Sequence, residues 1–316
     1  SYRAAWPPQA TDNTALYDGS SWTEVNNLTS GTRSANTIAL TGNSSAGLFF
    51  GHCGGPSPTE EWNGTNWTEV ADIPESTSTG AAGGGESSES AIWVAYFGGR
   101  TNKWDGTSWS EATDMTLTRY DAQGTGTRDS FMVIGGVNPT IGSPYVATCT
   151  EIYNGTNWSE EADTPYPTTQ AYGMGQSNDA IFAGGQDFEV GSHQACDHSQ
   201  VYDGTAWSFG PNINNKRRTD SGGSRYSGPA AAGATNAAWL GGGSPGYPTY
   251  NSAHTEVFPG FIVSGSFGRL EAGKIFGDAS GLTSTLPYPA GVTSGSAQIA
   301  SRISGSFISG FHLFGN

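Results

Sequence analysis

Short apolar runs, 91–97 and 130–134 among them, recur along the first 260 residues and lead into glycine doublets at Gly54-Gly55, Gly98-Gly99, Gly135-Gly136, Gly184-Gly185 and Gly241-Gly242. A polar loop of variable length follows each doublet and closes with Thr59-Glu60, Thr150-Glu151 or Ser199-Gln200 just before an aromatic segment. Ahead of the apolar runs lie stretches of small residues, as at 79–85, 171–176 and 229–234. Short apolar runs bounded by glycine and polar clusters are strand signals. Each unit therefore predicts a small-residue strand, an apolar strand and an aromatic-bearing strand.

A fourth strand comes from the most regular mark. Five segments repeat one phrase: Tyr17-Asp18-Gly19-Ser20-Ser21-Trp22, Trp62-Asn63-Gly64-Thr65-Asn66-Trp67, Trp104-Asp105-Gly106-Thr107-Ser108-Trp109, Tyr153-Asn154-Gly155-Thr156-Asn157-Trp158 and Tyr202-Asp203-Gly204-Thr205-Ala206-Trp207. Their glycines, at 19, 64, 106, 155 and 204, step by 45, 42, 49 and 49 residues. Asp-Gly or Asn-Gly between strands signals a hairpin, expected here as a type I′ turn with positive φ at both central residues. Four short antiparallel strands in a unit of this length make a propeller blade. Small inner-strand residues suit a crowded axis, and Trp22, Trp67, Trp109, Trp158 and Trp207 are expected in equivalent buried positions between blades.

A sixth unit is degenerate: Thr255-Glu256-Val257-Phe258-Pro259-Gly260 follows the last doublet, with Val263 at the place of the Trp. The first is incomplete. Arg3-Ala4-Ala5-Trp6 parallels Ala237-Ala238-Trp239-Leu240, and no inner strand precedes it. That strand is expected from a preceding segment or from the C-terminal side. The prediction is an all-β, six-bladed propeller over residues 1–263, followed by a separate Ser/Gly-rich β or extended segment over 264–316.

Composition tests this reading. Leu, Ile, Val and Phe make up 48 of 316 residues, about 15%, below the roughly 20% under which disorder is expected. Ten Trp and 13 Tyr reverse the inference, because each ring buries a large area. The core is one of rings and close-packed glycine. Thirteen basic against 28 acidic residues give a net charge of −15, which disfavours nucleic acid and anionic membranes as partners. No apolar run approaches the roughly 18 residues of a membrane span, and Ser1 to Trp6 carry no secretory signal pattern. A start at Ser1 without Met is expected of a processed or incomplete chain. Cys53, Cys149 and Cys196 are far apart, with no C-x-x-C pair for structural zinc.

The glycine doublet, the following aromatic and the later Trp resemble the kelch family over residues 1–263. One departure is the spacing, since only four residues separate aromatic from Trp, tighter than the usual kelch hairpin. The phrase running from Tyr17-Asp18-Gly19 to Trp22-Thr23-Glu24-Val25 is similar to kelch-like repeats in structural proteins of marine and cyanobacterial bacteriophages. That resemblance implies a non-enzymatic virion structural protein, a fibre, spike or appendage subunit at the virion surface that displays its propeller for receptor or glycan binding. In the tail, Ser-Gly-Ser-Phe occurs at 264–267 and again at 304–307, and 277–283 and 295–300 look like phage tail-fibre segments. This implies a homotrimer in contact with other virion proteins. Physics points the same way: a lone tail leaves Phe267, Phe276, Phe307, Phe311 and Phe314 in water and is too poor in apolar residues to fold by itself. The alternative is a flexible linker.

Candidate chemistry is sparse. Glu24, Glu69, Glu111 and Glu160 occur once per repeat beside the Trp, so they are spread around a ring rather than paired for acid–base work. Asp and Gly are adjacent in the hairpin phrase, which does not match a sialidase Asp box. His193, Cys196, Asp197 and His198 could hold zinc or copper, but a polar loop without a fixed backbone is the simpler reading. The sequons at Asn63, Asn66, Asn154 and Asn157 arise from the hairpin phrase itself. Arg33, Arg119 and Arg218 stand near the starts of inner strands and are expected to ring one mouth of the channel, binding acidic sugars or offsetting carboxylates. No catalytic, metal or cofactor residue is assigned. Two rival readings remain open at this point: a secreted glycan-active propeller enzyme, marked by a loop-borne acid pair or copper, and a bacterial extracellular adhesion module.

Overall fold

The computed structural model describes residues 12–18, 21–30, 39–51, 55–77, 80–95, 97–141, 145–187, 194–218, 230–232, 237–241 and 255–259. The chain divides after Val263, and every described residue lies in the first part. Arg33, His193 and the tail phenylalanines fall outside the described residues.

The described structure is a succession of antiparallel sheets, one main sheet per sequence repeat. The first unit contributes β1 (Thr14–Tyr17) and β2 (Trp22–Val25). The second has β3 (Ala39–Gly42), β4 (Gly47–Phe50), a short β5 (Gly55–Ser57), β6 (Thr59–Trp62), β7 (Trp67–Glu69) and β8 (Ile73–Thr77). The third runs through β9 (Gly80–Ser87), β10 (Ser90–Ala95), β11 (Thr101–Trp104) and β12 (Trp109–Ala112). The fourth is β13 (Gln123–Thr127), β14 (Ser130–Ile134), β15 (Thr150–Tyr153) and β16 (Trp158–Glu161). The fifth holds β17 (Tyr172–Gln176), β18 (Asp179–Ala183), β19 (Gln186–Asp187), β20 (Gln194–Ala195), β21 (Ser199–Tyr202) and β22 (Trp207–Gly210). The sixth shows β23 (Ala230–Ala232), β24 (Ala237–Gly241) and β25 (Thr255–Pro259).

Units two to five are four-stranded sheets with strands in chain order, β5–β8 and β19–β20 forming separate two-stranded pairs. Inner strands β3, β9, β13, β17 and β23 are successive neighbours, the arrangement of a β-propeller. Apart from a 3-10 turn at Phe97–Gly99, the described residues are strand, turn and loop.

Packing explains the composition. Second strands are buried on both faces because each sheet is covered by its neighbours: Phe131, Met132, Val133 and Ile134 are all fully buried. One slab of core between units three and four joins Ile92, Val94, Phe131, Val133, Tyr153 and Trp158. Another, between units four and five, joins Met132, Ile134, Phe182, Tyr202 and Trp207. Inner strands approach so closely that a Cβ on Gly124 would lie 2.3 Å from the Phe131 ring and 2.9 Å from the Ala82 Cβ. Glycine is therefore required there by space rather than by flexibility.

Four of the five repeated tryptophans occupy the expected position. Trp67, Trp109, Trp158 and Trp207 are 7 or 8% exposed. Each indole Nε1 donates to a hydroxyl that opens the third strand of the preceding unit: Thr14 (2.9 Å), Thr59 (2.9 Å), Thr101 (3.0 Å) and Thr150 (2.9 Å). A buried Trp N–H needs such a partner. Trp22 departs from the expectation. It stacks on Tyr17 at 5.2 Å as its siblings stack on theirs, yet it is 66% exposed. Its face is the one on which the other units meet a preceding sheet, and among the described residues no sheet covers it there.

The hairpins also differ from expectation. Trp62 pairs with Trp67 and Tyr153 with Trp158, so the loops have four residues rather than two. Only the glycine takes positive φ, 90° at Gly64 and 92° at Gly155. The preceding Asn or Asp stays in ordinary backbone and closes the turn with its side chain. Asn63 Oδ1 accepts the N–H groups of Thr65 (3.0 Å) and Asn66 (2.9 Å). Asn154, Asp105 and Asp203 do the same in their own loops. This Asx geometry mimics a backbone turn and explains why the phrase accepts Asn and Asp alike.

Candidate functional site

The polar side chains that the repeat fixes are spent on joints between units. At the second position of the third strand, Glu60 accepts from the Thr29 backbone (2.6 Å) and hydroxyl (2.7 Å) and from the Ser30 backbone (3.2 Å) and hydroxyl. Glu151 accepts from the Thr116 backbone (2.9 Å) and hydroxyl and from the Leu117 backbone (3.3 Å). Gln200 holds both the N–H and the C=O of Tyr166, at 2.9 and 3.2 Å. In every case the loop that is held belongs to the preceding unit. Burial pushes the Glu60 carboxyl up, but its bonds from Ser30 and Thr29 outweigh this and hold it below the ordinary carboxylate range.

Arg119 corrects the reading of a charged channel mouth. It is fully buried, donating to the carbonyls of Cys149 (2.6 Å) and Gly135 (3.2 Å) and forming a buried ion pair with Glu151 at 2.7 Å. The side chain points into the joint, where it donates to these two carbonyls and is closed off from solvent. Cys149 lies beside it, with its thiol pushed up by burial against the opposing pull of Arg119. A buried neutral thiol of this kind is inert. Arg218 is 8% exposed. The residue matching Arg119 in the fifth unit is Arg217, ten residues after its Trp as Arg119 is, and also fully buried. Arg218, like Arg33, stands eleven residues after its Trp.

Glu24, Glu69, Glu111 and Glu160 are all exposed along the outer strands. In the fifth unit the same position, two residues after the Trp, carries Phe209, 62% exposed. The sequence repeat could have revealed that exchange. Of the 193–198 cluster, Cys196 is buried, His198 Nε2 stands 3.9 Å from Asp197, and its ring packs on Tyr166 at 4.8 Å. No three metal-ligating groups gather among the described residues.

What stands out at the loop end is backbone conformation. The described non-glycine residues with positive φ are Asp121 (54°), Tyr145 (64°) and Gln170 (56°), and all belong to the loops at one end of units four and five. Asp121 and Gln170 occupy the same place in the repeat, twelve residues after Trp109 and Trp158. Gln170 donates through its backbone N–H to the Asp121 carbonyl and through Nε2 to the Asp121 carboxylate, both at 3.0 Å. Thr169 Oγ1 adds a bond to the same carbonyl at 2.9 Å. Tyr120, next to Asp121, bridges to Val137, which bridges to Val146 beside Tyr145. On the intervening loop Ile141 and Tyr145 are 37% and 48% exposed. Such conformations cost energy and persist where the surroundings impose them. Sequence reasoning missed this cluster because nothing in the side chains announces a positive φ.

The hairpin aspartates set an acid response. Two backbone N–H bonds, from Ser108 and Thr107, hold the Asp105 carboxyl below its ordinary value, and Ala206 and Thr205 do so for Asp203. Each binds its proton less readily folded than unfolded, so its stabilisation is complete above the ordinary carboxylate range and fades as pH falls through and below it. Asn63 and Asn154 show that the loop needs no charge. Replacing Asp105 and Asp203 with Asn should leave the melting temperature at pH 7 near that of the parent and reduce its fall between pH 5 and about pH 3. Equal falls in both proteins would contradict this.

No family model matches the chain, and no curated protein matches it. Solved structures do. The structure of YjhT, a β-propeller-type fold, aligns with a TM-score of 0.58 at 12% identity, covering 80% of this chain and 95% of that one. At that identity the likeness shows the fold, a β-propeller, and nothing further.

Proposed function

We propose that this chain is a non-enzymatic binding and display subunit, a six-bladed propeller presented at the virion surface of a bacteriophage as a fibre, spike or appendage head. Its receptor is a host-surface molecule such as a glycan. Residues 264–316 anchor the head and assemble it with other copies, most simply as a homotrimer, and with other virion proteins. The observation that carries the binding role is the gathering of Asp121, Tyr145 and Gln170, all in costly backbone conformations, at one loop end beside exposed Ile141 and Tyr145. Such conformations concentrate where ligands are held, and an exposed tyrosine is a common anchor in recognition. The virion setting rests on the Tyr17–Val25 phrase and its sibling repeats. The non-enzymatic reading has support in Glu60 and Glu151, which hold segments of the preceding unit, and in Asp105 and Asp203, which accept backbone N–H groups of their own hairpins.

Antibodies to the propeller should decorate a projecting structure on purified particles in electron micrographs. Soluble propeller should bind host cells, and Tyr145→Ala should weaken that binding at least tenfold while leaving the melting temperature unchanged. Particles that carry no label would overturn the virion role, and unaltered binding by the variant would overturn the site.

A further inference from the structure

One joint breaks the rule the others follow. Groups held by Glu60, Glu151 and Gln200 stand seven or eight residues after the preceding unit's Trp: Thr29 and Ser30, Thr116 and Leu117, and Tyr166. Between units two and three the clamping position carries Asn102, and the residues seven and eight after Trp67 are Pro74 and Glu75. Asparagine is one methylene shorter than glutamate or glutamine, and proline has no N–H to give. Asn102 is fully buried, and neither its Oδ1 nor its Nδ2 has a hydrogen-bond partner. Ser57, which pairs across strands with Ile73 at the start of the same segment, is also fully buried with an unpartnered Oγ.

Buried polar atoms left without partners are rare and costly, and here three of them belong to two residues: Asn102, at the clamping position of unit three, and Ser57 of unit two, paired with Ile73 of β8. We propose that the joint between units two and three binds buried water, one or two molecules linking Asn102 and Ser57 to the backbone of 73–77 in place of a side-chain clamp. The shorter side chain frees about one methylene of space, close to the roughly 30 Å³ share of one water molecule. An amide offers two donors and a carbonyl, and a hydroxyl offers one donor and two lone pairs, enough for the two to four bonds a buried water makes. Both residues are neutral, so the site suits water rather than a metal cation, which would call for carboxylates.

The test uses the full chain, with the Asn102 side-chain amide assigned by comparison with Asn102→Gln. Cross-relaxation between the Asn102 NH₂ protons and a long-lived water is expected, with no such signal from the exposed amide of Asn66. Asn102→Leu, which keeps the number and branching of side-chain heavy atoms, should lower the folded-to-unfolded ratio about tenfold by stripping the water of its partners. Absence of a long-lived water at Asn102 would overturn the proposal, even if the leucine variant failed to fold. A leucine variant more stable than the parent would overturn it too, because it would show that the polar groups were dry and unpaid.

Discussion

Replacing Trp109 with alanine should destabilise the protein by about 3–5 kcal/mol, the range for truncating a large buried ring, whereas the same change at Trp22 should cost less than about 1 kcal/mol. Both residues open the fourth strand of a unit and stack on the aromatic across the hairpin, at 5.6 Å for Trp104–Trp109 and 5.2 Å for Tyr17–Trp22. They differ in what lies behind them. Trp109 packs on Phe50 at 5.1 Å, belongs to the slab that joins Leu48, Trp93 and Trp104, and donates to Thr59. Trp22 is 66% exposed. Urea denaturation followed by circular dichroism checks the pair. Equal losses would mean that Trp22 is covered in solution.

Breaking the Arg119–Glu151 pair from one side should also cost about 3–5 kcal/mol, because the surviving charge stays buried without its partner. Glu151→Gln keeps the shape but removes the charge facing Arg119, and Arg119→Thr leaves the carboxylate with Thr116 and Leu117 alone. The next joint shows how the fold builds the same contact without charge: Gln200 stands where Glu151 does, and Thr168, ten residues after Trp158, stands where Arg119 does. The double variant Arg119→Thr with Glu151→Gln transplants that neutral joint. It should recover more than half of the loss of either single variant. Additive losses in a double-mutant cycle would show that the two side chains act independently.

Much of this architecture was legible because the chain repeats itself. The Trp phrase, the glycine doublets and the small inner strands lie at a common spacing, and each maps onto one strand of a sheet. What the repeat could not show was direction and context. Arg119 looked like a channel-mouth residue because of its position near an inner strand, but the chain turns its side chain into the joint, where Glu151 waits 32 residues later in sequence. Trp22 carries the same phrase as its siblings, and local sequence does not record whether a sheet covers it. Asp-Gly and Asn-Gly were correct as hairpin marks, yet the four-residue loop uses the acid or amide side chain as an acceptor instead of placing it at positive φ. Asp121 and Gln170, unlike in chemistry, share a backbone conformation imposed by the joint. Only comparison of equivalent positions across units exposes it.

The joints also have a sense. Trp67, Trp109, Trp158 and Trp207 each reach back to a hydroxyl of the unit before, and Glu60, Glu151 and Gln200 reach back in the same direction. Contacts of this head-to-tail kind are heterologous: the two surfaces that meet are different, and each unit carries one of each. A unit can therefore be duplicated, lost or inserted as a single gene segment without remaking its neighbours, since the incoming copy brings both halves of the joint. The hairpin-to-hairpin steps vary from 42 to 49 residues, yet the tryptophan–threonine bond recurs at all four described joints.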